Sequence, residues 1–171
     1  MNSRFTIALI AGTNLLCLLG CTSHQQSLIL QPVGPRPLPT GSNGESGSLV
    51  VFSAPDANAH FYGVSGHVYY SDYNLLSDTG ALLQTVHNNI AVAGPATVTL
   101  PTGSYRVVAK ANGYGTVTVP VVIAPRRTTT VHLEGGYTWR ANSILASGTP
   151  VRLPDGEIVG WSPNPGTNSN H

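Results

Sequence analysis

From Gly47 onward apolar and polar positions alternate with a period of two, and turn residues interrupt the alternation every few positions. Ser48–Ser53 is a short, mostly apolar run closed by Pro55-Asp56. Gly66–Tyr73 carries His67, Val68, Tyr69, Tyr70 and Tyr73, a strand-forming and aromatic stretch. Asp78-Thr79-Gly80 reads as a turn that leads into Ala81–Val86. Ala96–Leu100 alternates, and Pro101-Thr102-Gly103 turns the chain again. In Ser104–Ala111, Tyr105, Val107, Ala109 and Ala111 share one face, with Arg106 and Lys110 on the other. A turn at Gly113–Gly115 follows. Val117, Val119, Val121 and Ile123 then line one face while Thr116, Thr118 and Pro120 line the other. Thr128–Leu133 closes the series with Thr129, Val131 and Leu133 in register. Pro120 has no N–H to give to a ladder, which predicts that its strand lies at an edge or carries a bulge.

No segment shows an apolar stripe of helical period bounded by caps. The pattern therefore predicts an all-β domain over residues 48–134. A single β-sandwich of about seven strands, immunoglobulin-like or transthyretin-like, fits the strand number and spacing. Residues 135–171 form a C-terminal extension. In it Val151–Val159 predicts a β-hairpin turned by Pro154-Asp155-Gly156, and the stretch from Ser162 to His171 is expected to fray.

The start of the chain is organised differently. Arg4 precedes an apolar stretch from Phe5 to Leu19 that Gly12, Thr13 and Asn14 interrupt. It is too short and too broken to span a bilayer, and it has the plan of an export signal. Leu18-Leu19-Gly20-Cys21 resembles a bacterial lipobox, which implies cleavage before Cys21 and acylation of that residue. Cys17, with Asn14 and Leu16 before it, fits the pattern badly. Residues 1–20 are thus expected to be a lipoprotein signal peptide. Residues 21–47 are expected to be the lipidated cysteine and a Pro/Gly-rich tether, with Pro32, Pro35, Pro37 and Pro39 followed by Gly41, Gly44 and Gly47. Leu28-Ile29-Leu30 is the exception in that tether, an apolar run able to pair with the domain instead. Thr22, where an inner-membrane retention signal of enteric type would have Asp, favours the outer membrane by the same resemblance.

Within the β-rich region, Pro101, Gly103, Tyr105, Val107, Gly113-Tyr114 and Thr128–Val131 form a recurring pattern. The block Ala96–Leu133 resembles the carboxypeptidase regulatory-like and PEGA-type β-sandwich domains: a turned hairpin into Gly-x-Tyr-x-Val, a Gly-Tyr after the strand, then a Thr/Val-rich closing strand. It departs from the PEGA pattern in lacking a charge or proline just after Gly-Tyr, and the upstream half, including Gly80 and Val86, fits loosely. The resemblance implies a non-catalytic module for binding, spacing or stabilising.

Composition narrows the function further. The 171 residues hold 8 Lys+Arg and 7 Asp+Glu, only 9% charged, with 41% hydrophobic, 19 Gly and 13 Pro. Without a basic excess there is nothing to neutralise phosphates, so no nucleic-acid partner is expected. Removing residues 1–20 takes away Arg4 and Cys17, which leaves a formal charge of zero and a single thiol, that of Cys21. No disulfide can then form within the mature chain, and the apolar core must hold the fold.

Candidate chemistry is sparse. The sequence lacks a Gly-x-Ser-x-Gly elbow, a phosphate-binding loop of Walker type and a His-Glu-x-x-His motif. His60, His67, His87 and His132 do not share the two-residue spacing that sets ligands on one strand face, so no metal is expected. Asp56-x-Asn58 and Asp72-x-Asn74 begin like calcium loops but do not continue as such, and Asx turns explain both. No enzyme activity and no cofactor are expected. Trp139 and Trp161 either staple the extension to the sandwich or, with a tyrosine such as Tyr70, form a stacking platform for a sugar or a protein. The expectation is a non-catalytic lipid-anchored envelope protein that contacts the membrane through its acyl chains and binds an envelope protein. The alternative is a carbohydrate- or peptidoglycan-binding module using Trp139, Trp161 and Tyr70.

Overall fold

A computed structural model describes residues 28–36, 44–55, 69–88, 94–135 and 148–163. The expected signal peptide, Cys21 and Trp139 lie outside them, as do His60 and His67. Among the described residues there is no helix; ten strands form in the order β1 (Leu28–Ile29), β2 (Ser46–Phe52), β3 (Tyr73–Ser77), β4 (Leu82–Val86), β5 (Thr97–Pro101), β6 (Gly103–Ala111), β7 (Gly115–Ile123), β8 (Thr128–His132), β9 (Gly148–Arg152) and β10 (Ile158–Pro163). The protein is all-β. One sheet has the order β1-β7-β6-β3-β4, a second β5-β2-β8, and β9 and β10 form a separate hairpin.

The alternation in the sequence decides which face of each strand is buried. Leu49 and Val51 of β2, Leu100 of β5 and Val131 of β8 share one apolar cluster with Tyr73 and Leu75 of β3, Val107 and Ala109 of β6, and Val117, Val119, Val121 and Ile123 of β7. The two sheets thus enclose a common, valine-rich core, and β2 to β8 supply the expected seven strands. Each fully buried Val, Leu or Ile side chain contributes about 1.5–3 kcal/mol, so a core of this size can hold the fold without a disulfide.

Three features of the two sheets differ from the sequence expectation. Tyr69–Asp72 do not belong to a strand: apart from the isolated bridge between Pro55 and Tyr70, pairing begins at Tyr73. Here the chain crosses from one sheet to the other, with the Ser71 N–H bonded to the Ala54 carbonyl at 2.9 Å. Second, Pro101-Thr102-Gly103 does not turn a hairpin, because β5 and β6 lie in different sheets. It is a corner, and the Tyr105 hydroxyl braces it by donating to the Pro101 carbonyl at 2.9 Å. That bond from a strand-start tyrosine back across a sheet-to-sheet corner has the geometry of a tyrosine corner.

Third, residues 28–33, within the expected tether, lie on the sheet. Leu28 and Ile29 pair in parallel with Val117 and Thr118, and Val33 bridges to Val121. Leu30 and Val33 donate to the carbonyls of Thr118 and Pro120 at 3.0 and 2.8 Å, and Val122 donates to Val33 at 2.9 Å. Between Ile29 and Val33 the covering strand advances four residues while β7 advances three, and this irregularity falls opposite Pro120. The missing N–H therefore breaks the ladder of β7's neighbour, while β7 pairs with β6 without interruption from Gly115 to Ile123.

The hairpin turns where expected, at Pro154–Gly156, with Leu153 N–H bonded to the Glu157 carbonyl at 2.8 Å and Glu157 N–H to Asp155 Oδ1 at 2.9 Å. Ser162 and Pro163, expected in the tail, still pair with Thr149 and Gly148. A bulge at Val159 turns that side chain inward, where it joins Val151, Leu153 and Val33 in the main core. Gly160 makes this docking possible: a Cβ there would collide with the Val33 side chain.

Candidate functional site

The expected stacking residues that are described do not share a platform. Trp161 sits on β10, half-buried, with its carbonyl bonded to the Gly34 N–H at 2.7 Å. It lines a groove of about 390 Å³ with Pro35, Arg127, Thr128 and Thr130 at the start of β8. Tyr70 lies at the other end of β8. Its ring meets Phe52 edge-on, with centroids 5.5 Å apart, and Phe52 stacks on His132 at 4.7 Å. Register explains the stack, since Phe52 of β2 is paired directly with His132.

His132 of this stack also belongs to a buried ionisable pair. His132 Nδ1 is 2.8 Å from Glu134 Oε1, and both side chains are shielded, with 14% and 10% exposure. Oε2 of Glu134 is buried without a partner among the described residues. Burial first, and the charge of Glu134 second, raise the Tyr70 hydroxyl above the usual phenol pKa. The cluster is compact and aromatic, and Tyr70 spends its ring on Phe52 rather than presenting it whole to solvent.

A second polar cluster stands beside it. Asn88 is 1% exposed. Its side-chain N–H groups donate to the Val51 carbonyl at 2.8 Å and to Ser53 Oγ at 3.0 Å, and its Oδ1 accepts from the Ala96 N–H at 2.8 Å. Asp72 receives the Asn88 N–H at 2.9 Å through one oxygen and faces His87 Nδ1 at 2.7 Å through the other. Both described histidines of the domain are thus hydrogen-bonded to carboxylates. Among the described residues no group of three or more His, Cys, Asp or Glu is placed to hold a metal ion. Sequence reasoning missed Asn88. An Asn just after a strand and ahead of Gly94-Pro95 is a weak turn signal, and nothing in it reveals burial.

The outer edge of the large sheet carries the clearest exposed apolar feature. Leu82 and Leu83 of β4 are 60% and 52% exposed. Neighbours on a regular strand point to opposite faces, so one of the two would be expected inside. The bulge between the β3–β4 pairs Leu75–Gln84 and Leu76–Leu82 makes Leu83 the extra residue and turns it outward beside Leu82. β4 holds no charged residue, and among the described strands it pairs only with β3. On the opposite side of the same sheet, Ile29, Pro32, Pro35, Tyr105 and Pro120 line a largely apolar groove of about 430 Å³. No protein-family model, curated protein or solved structure matches this chain.

Proposed function

We propose that this chain is a non-catalytic, lipid-anchored protein of the bacterial envelope, held to a membrane, preferentially the outer one, through acyl chains on Cys21. Its β-sandwich serves as an interaction or spacer module that binds an envelope protein. The likeness of Ala96–Leu133 to carboxypeptidase regulatory-like and PEGA-type domains points the same way. The observation that carries the protein-binding part is β4, an uncharged edge strand that presents two adjacent leucines. Natural sheet edges are usually blunted by charge, proline or a cover, and an edge that exposes apolar side chains and open backbone groups is suited to receiving a partner. Anchoring raises the local concentration of partners in the same membrane, so contacts of modest affinity suffice.

The test is photo-crosslinking in intact cells from a reactive residue placed at Leu83, with the same residue placed at Arg152 as control. One dominant protein adduct from position 83, lost when Leu82 becomes Lys, supports the proposal. Equal, diffuse adducts from both positions refute partner binding at this edge. The alternative, a carbohydrate- or peptidoglycan-binding module, is favoured by the groove that sets Trp161 beside Arg127, Thr128 and Thr130, a mixture of stacking and polar groups. It predicts that added glycan shifts Trp161 fluorescence, and that cell-wall fragments are recovered in place of a protein adduct.

A further inference from the structure

We infer that the end of the large sheet bearing the β6–β7 turn faces the lipid surface, an assignment that rests on acylation of Cys21. The argument starts from the direction of β1. It runs parallel to β7, with Leu28 level with Val117, two residues beyond Gly115. The chain therefore enters the body beside the β6–β7 turn and runs away from it, reaching the level of Val121 at Val33.

Only residues 22–27 separate Cys21 from Leu28, and the seven peptide steps span at most about 25 Å. Leu28, level with the Val117–Ala109 pair, stands two strand residues from Gly115 and four, or about 13 Å, from the far end, where Ser77 pairs with Tyr105 and the chain turns at Asp78. To set that end on the lipid, the segment would have to reverse direction at Leu28 and use about half of its reach running back along the sheet. Setting the near end on the lipid needs no such reversal.

The side chains at the near end suit a headgroup layer. Among the described residues at this end, Tyr114 is exposed in the turn and Lys110 is exposed on the outer face beside Thr116. A tyrosine with an apolar body and polar tip and a lysine are groups that a membrane interface accepts. Residues 110–118 contain no carboxylate, and the nearby Asp72 is engaged with His87.

Because acylation blocks Cys21, the mature lipoprotein has no free thiol, and Tyr114→Cys, Thr116→Cys and Asp78→Cys variants each accept a single fluorescent label. The labelled lipoproteins are reconstituted into phosphatidylethanolamine–phosphatidylglycerol vesicles that carry a headgroup-attached quencher. The expected result is loss of most of the signal at positions 114 and 116 and little loss at 78. Equal quenching at both ends, or stronger quenching at 78, overturns the orientation. The mass of the N-terminal peptide from the same preparation keeps this failure distinct from failure of the anchor reading. An acylated Cys21 with the wrong quenching order overturns the orientation alone, and an unacylated Cys21 overturns both.

Discussion

Replacing Asn88 with Ala tests whether the two sheet halves are joined by a side chain acting as a ladder rung. The last regular pair between β2 and β5 is Val50 with Thr97, so the next would be Val51 with Ala96. At that point the Asn88 carboxamide lies between them, donating to Val51 and accepting from Ala96. Truncation removes three hydrogen bonds, two of them buried, including the one to Ser53 Oγ. Each is worth about 1 kcal/mol net, or about 1–3 kcal/mol where its loss leaves a buried group without a partner. Ala96 N–H and Val51 C=O are the two groups stranded, the former only partly buried, so the expected loss is about 3–4 kcal/mol, near the low end of that sum. Urea unfolding of a soluble Cys21→Ser chain beginning at residue 21 measures it directly. Thr85→Ala is the control: it removes one exposed side-chain hydrogen bond, to Asn74 at 2.8 Å, and should cost less than about 0.5 kcal/mol. Asn88→Asp should be no better than Ala, because a carboxylate cannot donate to Val51 and brings a charge into a buried site. If Asn88→Ala costs no more than Thr85→Ala, the rung carries no weight and the reasoning fails.

Other substitutions probe separate contacts. Gly160→Val drives a side chain into Val33, and overpacking of about 1–3 kcal/mol should loosen the hairpin and β1 together, seen as faster amide exchange at Leu30 and Val33. Tyr105→Phe removes the bond to Pro101 and should lower stability by about 1 kcal/mol in urea. Tyr73→Phe should be neutral or stabilising, because the buried hydroxyl has no protein partner among the described residues. Burial raises the Tyr73 hydroxyl well above its ordinary value. Its neutral form is therefore retained in the folded state, the associated stability is fully present below about pH 10, and it is lost as the pH rises toward the folded value. Above pH 10 the wild-type stability should fall by about 1.4 kcal/mol per pH unit more steeply than that of Tyr73→Phe. Identical alkaline slopes for the two chains would contradict the burial of this hydroxyl.

Most of the β-strands were legible because alternation reports directly on burial. In β7, valine at every second position faces the core; in β6, Val107, Ala109 and Ala111 do so while Arg106 and Lys110 face water. What alternation does not report is which strand lies beside which. Pro101-Thr102-Gly103 has the residues of a hairpin turn, yet it carries the chain between sheets, and only the bond from Tyr105 to Pro101 distinguishes the two outcomes. Within the described part of the strand expected over Gly66–Tyr73, pairing begins only at Tyr73, for a related reason. Tyr70 has high strand propensity, but tertiary context sets it against Pro55 and the Phe52 ring instead.

The candidate surfaces were less legible, because exposure at an edge is decided by register rather than residue type. Leu82-Leu83-Gln84 reads as an ordinary half-buried strand, and a bulge of one residue sends both leucines outward. Docking of Leu28–Val33 depends likewise on a partner nearly ninety residues away. Pro120 gave the only hint: a proline in a long valine strand needs a neighbour that forgoes one hydrogen bond, and the irregular segment between Ile29 and Val33 is such a neighbour. That docking changes the mechanics of an anchored chain. A free linker of about 25 residues would let the domain sample orientations over roughly 25–30 Å, whereas seven peptide steps to a strand fixed in the sheet leave far less freedom. With the proposed anchoring at Cys21 and the proposed orientation, a short link of this kind would present β4, on the edge opposite β1, sideways along the membrane, where a partner anchored in the same layer would meet it. Lengthening the chain between Cys21 and Leu28 with Gly/Ser residues should therefore weaken crosslinking from position 83 while leaving urea stability unchanged. Undiminished crosslinking with a long insert would mean that the edge is recognised without help from its orientation.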